Sequence, residues 1–181
     1  MRTVILDPSS AGLQDLIERR RLSGLDRLDE VWEGVLHMVP APSGGHARIA
    51  QQLAELLGPA ARAAGLIPTM HEFNVGESEY DYRIPDGGLH REERNTVWHP
   101  TAALVVEIVS PGDETVAKLP FYAAHDVDEV LIVDPAERSV QWLVIQEGSY
   151  RSASHSALIN LGPAELANRI DWPEVESRKD R

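Results

Sequence analysis

Cysteine is absent from this chain of 181 residues, and lysine nearly so. Without thiols there is no disulfide and no thiolate metal site, which suits a reducing compartment such as the cytoplasm. Two lysines, Lys118 and Lys179, stand against fifteen arginines. Because Lys179 falls in a charged tail, Lys118 is the lone lysine expected in the folded body. No apolar run approaches the roughly 20 residues of a membrane helix, and the apolar stretch within Met1–Asp7 is too short for a secretory signal. A Walker loop, Gly-x-Gly-x-x-Gly, a Gly-x-Ser-x-Gly elbow and His-Glu-x-x-His are all missing. The seven histidines (37, 46, 71, 90, 99, 125 and 155) show no tight metal-ligand spacing.

What is present is mostly acid. The net charge of −12 argues against broad nucleic-acid binding, since phosphate contacts need Lys and Arg. Any DNA binding should be weak and salt-dependent, resting on arginines such as Arg19 to Arg21 and on a bound metal. The length fits one domain with a single core, expected over residues 1–170, followed by a mobile charged tail at 171–181.

Along the chain, Asp7-Pro8-Ser9-Ser10 reads as a helix start, and Leu13, Leu16 and Ile17 mark one face up to about Leu22. Arg19-Arg20-Arg21 is the one basic cluster and reads as a solvated helix end favoured by the helix dipole. Arg27–Glu33 and Val35–Val39 read as strands around Gly34. After the Pro40–Gly45 turn, Ser43 is placed to cap a long helix whose stripe runs through Ile49, Leu53, Leu56, Leu57, Ala60 and Ala64. His46 lies at its start on the inward side, where a lone histidine is ordinarily a satisfied structural residue. Leu66–Val75 reads as a strand, Gly76–Tyr80 as an acidic turn, and Gly87–Pro100 as a long polar loop. A helix over Asp113–His125 should start late or kink at Pro120. Asp128–Asp134 and Arg138–Ile145 read as strands, Gly148–Ser156 as an edge strand, and Pro163–Ile170 as a short helix.

The stretch from Thr101 to Pro111 organises the rest. Its nearly unbroken apolar run predicts a strand covered on both faces, and Glu107 sits near its end. An unpaired buried carboxylate costs several kcal/mol, so Glu107 should have a cation beside it, either a basic side chain or a metal. About twenty residues upstream, Asp86 ends a short strand predicted over Tyr82–Asp86. If the two strands pair, their side chains come within roughly 5 Å of each other, and Asp86 and Glu107 can share one divalent ion.

Arg83-Ile84-Pro85-Asp86, the run Ala103–Glu114, Lys118-Leu119-Pro120-Phe121-Tyr122 and the run Asp128–Pro135 together resemble the Uma-type restriction endonuclease family. Glu30 to His46 resembles the family's Glu-bearing hairpin and His-bearing helix, and the likeness spans roughly residues 10 to 160. It implies an α/β fold of the PD-(D/E)XK nuclease superfamily, a restriction-endonuclease-like mixed central sheet flanked by helices. It also implies Mg²⁺- or Mn²⁺-dependent hydrolysis of DNA by a homodimer. Asp86 and Glu107 would hold the metal, with the Ile108 carbonyl a further ligand and either Glu33 or Glu30 completing the site. His46 takes the place of a family histidine. The superfamily pattern puts a lysine two residues after the second acid, where this chain has Val109. In the family a lysine on the following helix takes that place, which here is Lys118, expected to orient or deprotonate the attacking water. The alternative is a non-catalytic nuclease-fold protein that acts as a homomeric binding or regulatory module.

Overall fold

The computed structural model describes residues 11–112 and 114–174. The expected cap at Ser9 or Ser10, Asp113, and the tail beyond Glu174 lie outside the described residues. Helix α1 (Ala11–Ser23) leads into a hairpin of β1 (Glu30–Trp32) and β2 (Val35–His37). Glu33 and Gly34 in its turn have φ of 51° and 84°, the left-handed pair that a two-residue hairpin loop demands. Helix α2 (Gly44–Ala63) starts at Ser43, whose Oγ accepts from the His46 amide at 3.2 Å, as the sequence predicts. Then come β3 (Ile67–Thr69), β4 (Asn74–Ser78), β5 (Asp81–Arg83), β6 (Gly87–His90), β7 (Trp98–His99) and β8 (Leu104–Ile108). Helix α3 (Thr115–Ala124), which runs through Pro120, precedes β9 (Glu129–Asp134), β10 (Ser139–Gln146), β11 (Ser149–Ser152) and α4 (Pro163–Arg169).

The expected mixed sheet flanked by helices is present, and a second, smaller mixed sheet stands with it. The larger has strand order β11-β10-β9-β8-β6-β3, the smaller β2-β1-β5-β4-β7. At the centre of the larger, β8 pairs parallel with β9 and antiparallel with β6. All five of its residues are buried, so the apolar run does report two covered faces. Leu104, Val106 and Ile108 pack with Ile49, Leu53 and Leu57 of α2 and Leu166 of α4. Val105 packs on the opposite face with Phe121 and Tyr122 of α3. Alternation along the strand puts Glu107 on the Val105 side, toward α3.

Two expected strands are divided by crossings between the sheets. Leu66–Val75 splits into β3 of the larger sheet and β4 of the smaller. Pro68 sits in β3, an edge strand, where its missing amide leaves no central ladder bond unmade. Likewise the strand expected over Tyr82–Asp86 ends at Arg83, and Ile84-Pro85-Asp86 carries the chain to the larger sheet. The polar loop expected from Gly87 begins instead as strand β6, in which Gly87 pairs with Val106. Its glycines answer to crowding rather than to a turn: a Cβ on Gly88 would meet both the Leu104 carbonyl oxygen and the Phe73 ring at 2.7 Å. Asp86 therefore stands at the crossing, immediately before the strand that pairs with β8.

Gly88→Ala should lower stability by about 1–3 kcal/mol, the usual penalty for overpacking. A denaturant midpoint unchanged from wild type would show that Leu104 and Phe73 yield freely.

Candidate active site

Glu107 is 3% exposed, and the cation it requires is a lysine. The Lys118 ammonium lies 3.2 Å from each Glu107 carboxylate oxygen and 2.9 Å from Oε1 of Glu30. Tyr122, one helical turn beyond Lys118 on the same face of α3, donates its hydroxyl to Glu107 Oε1. Glu30 is itself fully used. Its Oε1 also accepts from the Ile84 amide and its Oε2 from the Trp32 indole, both at 2.7 Å. Nothing in the sequence distinguished Tyr122 from an ordinary core aromatic except its spacing from Lys118.

Asp86 is held from three directions. Its amide donates to the Val106 carbonyl at 2.9 Å, and its Oδ2 accepts from the Ile108 amide at 2.7 Å. Its Oδ1 lies 3.2 Å from His46 Nε2 in the first turn of α2. Glu30, His46, Asp86, Glu107, Ile108 and Lys118 all line one cavity of about 490 Å³. Of the two acids left open between Glu30 and Glu33, the structure brings in only Glu30. Glu33 sits exposed in the hairpin turn, its amide bonded to Asp81 Oδ1 at 3.0 Å.

An arginine ties the hairpin to α3. The Arg83 guanidinium is sandwiched between the Trp32 ring at 4.4 Å and the Phe121 ring at 4.0 Å, an attraction strengthened by desolvation. Trp32 stacks in turn on His37, with ring centroids 4.1 Å apart. This column sets the distance between Glu30 on β1 and Lys118 on α3.

Three carboxylates here face one ammonium, and the titration behaviour follows. Burial is the largest influence on Glu107. With the Asp86 and Glu30 charges it outweighs the opposing pull of Lys118 and the Tyr122 hydroxyl, pushing the carboxyl up to about 8. Burial disfavours the charged form of Lys118, but Glu107 and Glu30 more than reverse this and hold it an ammonium beyond the usual lysine range. For His46, burial is likewise overcome, by the Asp86 hydrogen bond and charge and by Glu72 and Glu107, so its pKa lies above the ordinary value.

The donor set fits a hard divalent cation. Its oxygens are carboxylates, its charge is under-compensated by Lys118, and Mg²⁺ needs only one or two carboxylates besides water and phosphate. Among the described residues no group of three or more acids and histidines forms a ready-made ligand cage, so the fit is to a two-carboxylate site.

A mixed sheet with one acid near the end of its central strand, another before the antiparallel neighbour, and a lysine reaching back from the next helix is a restriction-endonuclease-like architecture. The fold is shared with a crystal structure from Anabaena variabilis described as a "putative nuclease belonging to DUF820". The TM-score is 0.63 at 15% identity, over 78% of this chain and 90% of that one. The model of the Uma2 family, described as "Putative restriction endonuclease", matches residues 20–167. The chain belongs to that family. No curated protein matches it.

The raised pKa of Glu107 has a definite sign for stability. The folded chain keeps a proton between about 4.5 and 8 that the unfolded chain releases. Its contribution is therefore complete below that interval and is lost as pH rises through it. His46 adds a loss of the same sign above its ordinary pKa. In the absence of divalent ions, Tm should fall from pH 5.5 to 8.5, and Glu107→Gln should flatten the fall. An equal slope in the variant would assign the proton elsewhere.

Proposed function

We propose that the chain is a metal-dependent nuclease that hydrolyses DNA phosphodiester bonds. The observation that carries this reading is the Lys118 ammonium seated between Glu107 and Glu30. It supplies from α3 the charge that Val109 cannot. In this reading Asp86 and Glu107 hold Mg²⁺ or Mn²⁺, with the Ile108 carbonyl as a further ligand, while Glu30 from the hairpin balances Lys118 beside them. A bound ion would polarise the phosphate and lower the pKa of a coordinated water.

The remaining work falls to the chain's own residues. Lys118 orients the water and offers hydrogen bonds to the phosphate oxygens. The two carboxylates that hold its own proton in place favour orienting the water over taking its proton. Tyr122 fixes one Glu107 oxygen, leaving the other to face the cavity with Lys118. His46 steers Asp86 from the first turn of α2. A second reading, a non-catalytic nuclease-fold module, is favoured by the −12 charge.

Plasmid nicking with Mg²⁺ or Mn²⁺ separates them. Lys118→Met should abolish nicking. The lysine side chain is only 14% exposed and holds two buried acids, so the change should also cost about 3–5 kcal/mol without metal. Divalent ions should restore part of that stability. Asp86→Asn should lose both nicking and stabilisation by metal. Wild-type nicking rates in Lys118→Met would refute the assigned role, and a wild type that cuts no DNA would leave the module reading.

A further inference from the structure

His37 lines the same cavity as Asp86, Glu107 and Lys118. It is only 9% exposed, yet its Nδ1 is buried without a hydrogen bond. Buried polar side-chain atoms ordinarily have a partner. Glu114 lies in the same cavity wall, and its Oε2 stands 3.5 Å from that nitrogen. His37 sits opposite Glu30 across the β1–β2 ladder, and Glu114 stands at the start of α3, one turn ahead of Lys118. The pair thus borders a cluster of three carboxylates for one ammonium, a surplus that draws a further cation.

The spacing decides what the pair suits. A hydrogen bond would bring nitrogen and oxygen to about 3 Å. Two atoms bonded to one tetrahedral ion at about 2.0–2.2 Å stand about 3.3–3.6 Å apart. Around an octahedral Mg²⁺ adjacent ligands stand about 2.8–3.0 Å apart. The observed 3.5 Å is the tetrahedral spacing. With a proton on the imidazole the contact is an ion pair; without one, it is two electron-pair donors side by side. The Trp32 ring lies against the His37 ring at 4.1 Å with 14° between their planes. That stack holds the imidazole by its face and leaves its edge, along which a metal–nitrogen bond forms.

We propose that His37 and Glu114 hold a second divalent cation, Zn²⁺, in the wall of the cavity. Nδ1 and Oε2 supply two tetrahedral positions, and water or an oxygen of a bound anion supplies the others. The open positions make it an exchangeable site rather than a closed structural one. Imidazole favours Zn²⁺ and carboxylate oxygen favours Mg²⁺, so the hard ion goes to Asp86 and Glu107 and the borderline ion to His37. The ion also ties the β1–β2 hairpin to the start of α3, the elements that present Glu30 and Lys118 to each other. Zn²⁺ binding needs no cleavage, so it stands or falls apart from the nuclease reading.

Calorimetric titration with Zn²⁺ tests it, with Mg²⁺ in excess to occupy the carboxylate site. Co²⁺ in place of Zn²⁺ should give the intense visible absorption of a tetrahedral complex. His37→Phe keeps an aromatic ring against Trp32, and Glu114→Gln alters a side chain that is 40% exposed, so both variants should fold. Each should weaken Zn²⁺ by about 100-fold or more, since even outer-shell partners of a metal are worth about 10–100-fold. In the wild type, Zn²⁺ should shift the ¹⁵N resonance of His37 Nδ1, a readout that needs no variant. Asp86→Asn should keep the Zn²⁺. Unchanged affinity in either His37→Phe or Glu114→Gln, or an unmoved His37 resonance, would overturn the assignment. Loss of Zn²⁺ in Asp86→Asn with affinity intact in His37→Phe would overturn it by placing the ion beside Glu107. Zn²⁺ held by His37 and Glu114 in a protein that cuts no DNA would uphold it while the nuclease reading fails.

Discussion

The structure depends on a carboxylate placed where water cannot reach it. Glu107 belongs to a strand covered on both faces, and burial alone would force it neutral. The fold answers with Lys118 and Tyr122 from α3 on one side and with Asp86, clamped to the next residue's amide, on the other. Each partner needs its own support. Glu30 is drawn in to balance Lys118, and the Trp32–Arg83–Phe121 column keeps the hairpin at the distance that allows it. A stability-minded core would replace such a charged cluster with apolar groups at little loss. Its persistence at the base of an open cavity is better explained by what it can bind.

Under the nuclease proposal, the balance of charge suggests how a strongly acidic chain would address a phosphate. Three carboxylates against one ammonium repel an anion, and Glu107 responds by holding a proton near neutral pH. A divalent cation would remove that deficit, releasing the proton and turning a repulsive pocket into an attractive one. Under the nuclease proposal, binding of the ion and binding of the substrate would be linked through one titratable group. The Lys118 ammonium occupies the space between Glu107 and Glu30 in its own right, which makes it a partner to the ion rather than a substitute for it.

The elements that sequence reading reaches most surely are those with one physical explanation. A nearly unbroken apolar run with Glu107 near its end reads as a covered strand, and a buried acid calls for a cation. Sequence left that cation open between a basic side chain and a metal, and the family resemblance placed Lys118 near the site. Reading fails where one residue pattern has two causes. Gly87-Gly88 looks like a turn and is instead a strand pressed against Leu104 and Phe73, so Asp86 moved from a strand to a crossing. Glu30 and Glu33 flank the same hairpin glycine, and only the hairpin's register puts one in the cavity and the other in solvent. Tyr122 and Arg83 were hidden for a different reason. Their roles come from contacts between elements far apart in the chain, which no local periodicity reports. Lys118 was expected to orient or deprotonate the water, and the second carboxylate beside it, Glu30, is a contact that no local pattern reports.

The most direct test of the account is the proton released when metal binds. Titration of Mn²⁺ at pH 7, in two buffers of different ionisation enthalpy, counts protons displaced per ion. The account predicts release of about one proton from Glu107, and almost none in Glu107→Gln, which should bind the ion far more weakly. Mn²⁺ binding of unchanged affinity in Glu107→Gln, or tight binding to wild type without proton release, would contradict it.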